Sequence, residues 1–214
     1  MQANDTALRT LIDAIVVDDF AQCFRLLSKR PELAAAYFQK GATRQTVKEY
    51  FLPDVARYIL AGDTALHFAA AAYRTEIARL LIDVGTDVSA KNRHGAEPLH
   101  AAAVGQPGAH HWNPVEQSKT IKLLIHAGAD PNATDKREVT PLHIAVRTRC
   151  AGAVQTLLRH GADPTRTNKS GSTALRLAKL TTGRGGSGSE EAKFEQQKIL
   201  CILQAQIPGY SSRT

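Results

Sequence analysis

Four short segments of this 214-residue chain can be laid over one another: "GDTALHFAA" from Gly62, "AEPLHAAA" from Ala96, "VTPLHIAV" from Val139 and "STALRLAK" from Ser172. Their leucines, Leu66, Leu99, Leu142 and Leu175, are separated by steps of 33, 43 and 33 residues. A second signature follows each of the first three: "RLLIDVGTD" (79–87), "KLLIHAGAD" (122–130) and "TLLRHGAD" (156–163). Its glycines, Gly85, Gly128 and Gly161, fall 19, 29 and 19 residues after the leucines. A unit of this size cannot bury its apolar face alone, so self-similarity at such a period restricts the chain to stacked architectures. The second unit is a 33-residue repeat carrying ten extra residues, and "GQPGAHHWNP" (105–114) is the excess.

The segments carry their own helix punctuation. Thr140 is a good N-cap, and Pro141 suits the first helical position, where a missing N–H costs nothing. Thr64 and Thr173 cap in the same way, with alanine following. Small Ala69, Ala102, Ala145 and Ala178 let neighbouring helices approach closely. The LL pairs lie on a second helix, which the glycines end in the left-handed conformation. Beyond them an Asp-rich stretch leads into a hairpin, so each unit reads helix–turn–helix–hairpin. Composition agrees: aromatics are only 6% of the chain, and alanine and leucine take their place, which favours closely packed helices.

The pattern resembles the ankyrin repeat. The matching residues are Thr140-Pro141-Leu142-His143, the LL pairs, Gly-Ala-Asp at 128–130 and 161–163, and the 33-residue period. The resemblance covers about residues 59–203 and implies an all-α ankyrin-repeat solenoid. On that reading residues 1–214 are one domain: a capping repeat (7–30), a helical insertion (31–58), repeats at 59–91, 92–134, 135–167 and 168–203, and a tail (204–214).

In the capping repeat, Leu11 and Leu26-Leu27 keep the spacing, and Asp18 or Asp19 starts the second of two amphipathic helices. The next repeat leucine is due at 44 and arrives at 66, so about 22 residues are added. Tyr50, Phe51, Leu52, Val55, Tyr58 and Ile59 give that stretch an apolar helical face, which is expected to fold back over the first repeat. A third insertion, "TTGRGGSGSEEA" (181–192), precedes a terminal helix that keeps Phe194, Ile199, Leu200 and Leu203 inside. The insertions at 105–114 and 181–192 occupy turns between paired helices, at the edge away from the hairpin tips.

Several motifs invite a chemical reading and do not sustain it. His110-His111-Trp112 has no further Cys, Asp or His within its insertion, whereas zinc needs three or four convergent ligands. Asn113-Pro114-Val115-Glu116 reads as a capping box, with Asn113 the cap, Pro114 at N1 and Glu116 at N3, and Trp112 as a ring packed over helix ends, with a binding role for Trp112 or His111 the alternative. Gly183, Gly185 and Gly188 match G-x-G-x-x-G but follow a helix rather than a strand, so the segment reads as a flexible loop with Ser189 capping the next helix. In the ankyrin family the histidine at the position of His67, His100 and His143 is structural, bonding to neighbouring loop backbone; Arg176 replaces it in the last repeat. Ser170, Cys150 and Cys23 have no base and orienting partner at recognisable spacing. The expectation is a protein that is not an enzyme and has no metal or cofactor.

The net charge of +7 is local. Residues 133–184 hold ten basic and three acidic residues, and the rest of the chain sums to zero. In ankyrin arrays the hairpin tips and inner helices line a concave groove. By repeat position the tips carry Arg93 and His94, Lys136 and Arg137, and Lys169, while Arg147 falls on the inner helix. These residues, with Trp112, are the expected partner-binding set. The resemblance implies a scaffold, adaptor or regulator that binds a protein partner with an acidic surface; nucleic-acid binding through the basic 133–184 region is the alternative. Three distant cysteines, no basic n-region and no long apolar run lead to an expected cytoplasmic monomer with no membrane span, with delivery to another cell as an effector left open.

Overall fold

A computed structural model describes residues 3–107, 112–180 and 190–206 of the chain. Its elements are nearly all helical. An initial pair, α1 (Ala3–Val16) and α2 (Phe20–Lys29), is followed by α3 (Ala65–Ala71) with α4 (Thr75–Asp83), and α5 (Pro98–Ala102) with α6 (Pro114–His126). Then come α7 (Pro141–Arg147) with α8 (Ala151–Arg159), and α9 (Ala174–Ala178) with α10 (Glu190–Ala205). The first members pack in one row, α1 on α3, α3 on α5, α5 on α7 and α7 on α9. The second members pack in a parallel row, α2 on α4 through α8 on α10. The architecture is an all-α solenoid.

Local chemistry sets the element ends. The Asp19 carboxylate accepts the Gln22 N–H at 2.8 Å and starts α2. Thr140 Oγ1 accepts the His143 N–H at 3.3 Å at the start of α7, and Thr173 Oγ1 accepts the Arg176 N–H at 3.3 Å at the start of α9. Gly85, Gly128 and Gly161 end the long helices at φ of 97°, 102° and 91°, a region other residues enter at a cost. The repeat leucines Leu66, Leu99 and Leu142 are essentially without solvent exposure, and the small Ala69, Ala102 and Ala145 beside them are fully buried. One apolar core therefore runs along the stack from Leu8 to Leu203.

The 31–58 stretch corrects the expected helical insertion. It holds 3₁₀ turns at Pro31–Ala34 and Pro53–Val55 and a small antiparallel hairpin, β1 (Phe51–Leu52) and β2 (Arg57–Tyr58). Pro53 explains the difference. It disfavours helical backbone at Leu52, which is extended at φ −108° and ψ 102°. Burial alternates: Leu52 and Ile59 are inside, while Phe51 and Tyr58 are exposed and pack against each other with ring centroids 4.9 Å apart and planes tilted by 48°. Main-chain bonds lace the insertion to the start of α3. Phe38 N–H donates to the Asp63 carbonyl (3.0 Å), Gly62 N–H to the Phe38 carbonyl (2.8 Å) and Ala42 N–H to the Ile59 carbonyl (2.8 Å).

Two further details depart from expectation. Part of the ten-residue excess in the second unit lengthens α6, which starts at Pro114 and has 13 residues against 9 in α4 and α8. In α10 the ring of Phe194 points outward and is 62% exposed, with the Lys198 ammonium 4.2 Å from its centroid; Ala192, Ile199 and Leu203 face the core instead.

Candidate functional site

The hairpin tips are built by one repeated device. Asn92, Asp135 and Asn168 each use a side-chain oxygen to accept two main-chain N–H groups. Asn92 holds His94 and Ala96 at 2.9 and 3.2 Å, Asp135 holds Arg137 and Val139 at 2.8 and 2.9 Å, and Asn168 holds Ser170 and Ser172 at 3.0 and 3.1 Å. Such Asx turns fix a tip without a long strand pair. Successive tips are then stapled to each other through backbone. Arg93 N–H donates to the Ala61 carbonyl (2.7 Å), Lys136 N–H to the His94 carbonyl (2.9 Å), and Lys169 N–H to the Arg137 carbonyl (3.0 Å).

This geometry brings Arg93, His94, Lys136, Arg137 and Lys169 into one strip across three tips. All five side chains are exposed. Among the described residues, none of the four Arg and Lys side chains has an ion-pair partner. Arg147, the last residue of α7, is also exposed but stands at the other end of the inner helix. The signal for these Asx residues is present in the sequence, since Asn92 and Asn168 each precede a glycine by three positions.

Behind the strip runs a column of histidines. His67 Nε2 lies 3.0 Å from the Ala96 carbonyl, His100 Nε2 3.1 Å from the Val139 carbonyl, and His143 Nε2 3.0 Å from the Ser172 carbonyl. Each ring therefore ties one repeat to the loop of the next. Arg176 occupies the equivalent place in the last repeat. Burial lowers the proton affinity of all three rings, that of His67 to a pKa of about 4.

Trp112 stands at the opposite edge, half-buried against the core. Its Nε1–H donates to Gln117 Oε1 at 3.0 Å. Gln117 is fully buried, and its Nε2 donates to the carbonyls of Ala102 (3.0 Å) and Val104 (3.1 Å). Asn113 caps α6 by accepting the Val115 and Glu116 N–H groups at 3.0 and 3.1 Å. Glu116 does not complete the reciprocal half of a capping box; its carboxylate pairs with Lys119 at 2.8 Å. A Cβ on Gly105 would lie 2.3 Å from Cys150 Sγ and 2.7 Å from Trp112 Nε1. Gly105→Ala is thus expected to displace the indole and cost about 2 kcal/mol, as overpacking does. The chain's single tryptophan makes the check direct: its emission should shift to the red, and unchanged emission and stability would contradict this packing.

Burial pushes the Cys23 and Cys150 thiols up to about 11, which leaves them as protonated, weakly nucleophilic core groups at neutral pH. Among the described residues no three His, Cys, Asp or Glu side chains converge as metal ligands, and no helix is long and apolar enough to cross a membrane. His110, His111 and the glycines 183–188 lie outside the described residues.

Three family models match the sequence. One described as ankyrin repeats (many copies) matches residues 124–178, one described as ankyrin repeats (3 copies) matches 33–111, and one described as ankyrin repeat matches 94–136. Among curated proteins the chain is similar to protein phosphatase 1 regulatory subunit 12A of Mus musculus and of Rattus norvegicus, 41% identical to each over 78 residues. That stretch is 36% of this chain and 7% of each relative, so the match spans a small fraction of the curated proteins' length.

Proposed function

Because the chain belongs to the ankyrin-repeat family, whose repeats are protein-interaction modules, we propose that it is a non-enzymatic scaffold, adaptor or regulator that binds an acidic protein partner on its concave, basic face. The observation that carries this reading is the backbone stapling of the tips. It sets Arg93, His94, Lys136, Arg137 and Lys169 side by side on a preformed surface, so little ordering entropy is lost when a partner docks. Exposed cations that are not spent on an ion pair among the described residues steer an acidic surface in and make association salt-sensitive. Arg147 extends the positive field along the inner helices, and Trp112 adds an aromatic edge. The likeness to a phosphatase regulatory subunit favours a regulatory role over a purely structural one. The protein acts as a cytoplasmic monomer on this reading.

The test is capture from the source cell's lysate, with and without nuclease. The wild-type chain is compared with a variant in which Arg93, Lys136, Arg137 and Lys169 are all changed to Glu. The expected result is a nuclease-resistant protein partner whose capture weakens at least about tenfold in the variant, each reversed tip charge contributing to the loss. A partner retained by the variant would overturn the basic-strip reading. Material released by nuclease would replace it with nucleic-acid binding.

A further inference from the structure

On the row of second helices, one unit departs from the repeat. Leu27, Leu81, Leu124, Leu157 and Leu203 are all buried and set a common register for these helices. In that register Gly152 falls where the other units have Gln22, Glu76, Lys119 and Lys198. Thr156 falls where they have Leu26, Leu80, Leu123 and Ile202, all packed partly buried on the core. Positions 152 and 156 are four apart and share one face of α8. Two long side chains are thus replaced there by a glycine and a short hydroxyl, and a groove of about 530 Å³ lies between α6 and α8.

The floor of this groove is neutral and already satisfied. Ser118 Oγ donates to the Pro114 carbonyl at 2.9 Å, and Thr156 Oγ1 donates to the Gly152 carbonyl at 2.8 Å. One end is apolar, formed by Pro114 and by Val115, which is 61% exposed. The other end carries Lys122, Arg159 and His160, and the His160 ring packs beside that of His126 with centroids 5.4 Å apart. Among the described residues no acidic side chain lines the groove, and Lys122 and Arg159 enter no ion pair. Lys119 between the two ends is paired with Glu116 at 2.8 Å, so the unspent positive charge is confined to one end.

From Gly152 to His160 the groove follows α8 for about 12 Å. That length holds three or four residues of extended chain at about 3.3 Å each. A nucleic-acid strand draws its affinity from a longer track of cations, whereas two cations beside an apolar end suit a peptide. We infer that this groove binds a short acidic segment of a partner protein, with an apolar side chain on Pro114 and Val115 and carboxylates against Lys122 and Arg159. Charge complementarity sets the direction in which the segment lies, and the shortened side chains of Gly152 and Thr156 give it room. None of the hairpin-tip cations lines the groove, so this site does not depend on the strip.

The ¹⁵N-labelled full chain is titrated with three probes at constant ionic strength, and its backbone amides are followed by NMR. The probes are the blocked peptide Leu-Glu-Asp-Glu-Asp, its amide counterpart Leu-Gln-Asn-Gln-Asn, and an oligothymidylate. The same titrations are run on the variant with glutamate at the four strip positions. Saturating shifts at Val115, Ser118, Lys122, Thr156 and His160 are expected with the acidic peptide, in both proteins. Shifts at the hairpin tips belong to the strip and should vanish in the strip variant without altering those in the groove. Gly152→Gln returns to α8 a side chain of the length that other units carry, and helix propensity favours the change. It should fill the groove and weaken the peptide at least about fivefold. Lys122→Gln combined with Arg159→Gln leaves the groove open and should also weaken the peptide at least about fivefold, through the loss of two ion pairs. Groove shifts that fail to saturate, that the amide peptide or the oligothymidylate reproduces, that vanish in the strip variant or that persist unchanged in both groove variants would each overturn the assignment.

Discussion

Asp63→Ala is expected to destabilise the protein by about 3–5 kcal/mol, the range for removing one partner of a buried ion pair. Asp63 has no solvent exposure, and both of its oxygens are in use. Oδ1 accepts from Arg57 Nη2 at 3.2 Å and from Asn92 Nδ2 at 2.9 Å; Oδ2 accepts the Leu60 N–H at 2.8 Å. These partners belong to three different parts of the chain: the inserted hairpin, the tip of the next repeat and the segment entering α3. Alanine would leave a mostly buried guanidinium, an amide and a main-chain donor without their acceptor, at a point where no water replaces it cheaply. In a stacked architecture the loss stays local to the neighbouring units. Hydrogen exchange should therefore accelerate first at the Ala42, Ile59 and Leu60 amides, with later repeats protected as before. Asp63→Asn keeps one acceptor oxygen and should cost roughly half as much. A variant as stable as the wild type, with unchanged exchange at these amides, would show that the insertion docks through its apolar contacts alone.

The same residue marks the boundary of what the sequence discloses. Helix caps and stops are decided within a few residues, so Thr140, Pro141, Thr173 and the three helix-ending glycines could be read directly, as could the inward leucines. The 31–58 stretch could not. Its apolar positions fit a helical period as well as an alternating one, and the decision falls to Pro53 and to main-chain bonds with Asp63 and Gly62. Gln117 and Asp63 look like ordinary polar residues in the sequence; their partners lie 13 to 29 residues away or arrive with an insertion. The basic strip was legible because the tip cations recur at the repeat period.

Acidification is the second perturbation expected to act strongly, and its target is the histidine column. At Nδ1 the rings of His67, His100 and His143 accept the N–H of Thr64, Glu97 and Thr140, at 3.1, 3.1 and 3.2 Å. At Nε2 they donate to the next repeat's loop carbonyl. A proton on Nδ1 would abolish the first bond, and burial opposes the charge it brings, so the folded state holds all three rings neutral. The unfolded chain protonates them near the ordinary value of about 6.5. The sign follows: above that pH neither state binds the proton, and below it the unfolded state takes up protons that the folded state refuses. Stability is then lost progressively until the folded pKa is reached, which for His67 is about 4. Between pH 6.5 and 5, His67 alone should remove about 2 kcal/mol, with His100 and His143 acting in the same direction. Urea midpoints measured across that interval lie above the range where exposed carboxylates titrate. The buried Glu97 carboxyl, pushed up by burial, acts in the opposite direction, so the profile is compared with that of Glu97→Gln, and a flat profile there would mean the rings protonate in place. The loss should also be spatially specific. Every carbonyl these rings hold sits in a loop that carries strip cations, at Ala96, Val139 and Ser172. Mild acid should therefore raise hydrogen exchange at the tips before the helices, loosening the surface on which an acidic partner would dock.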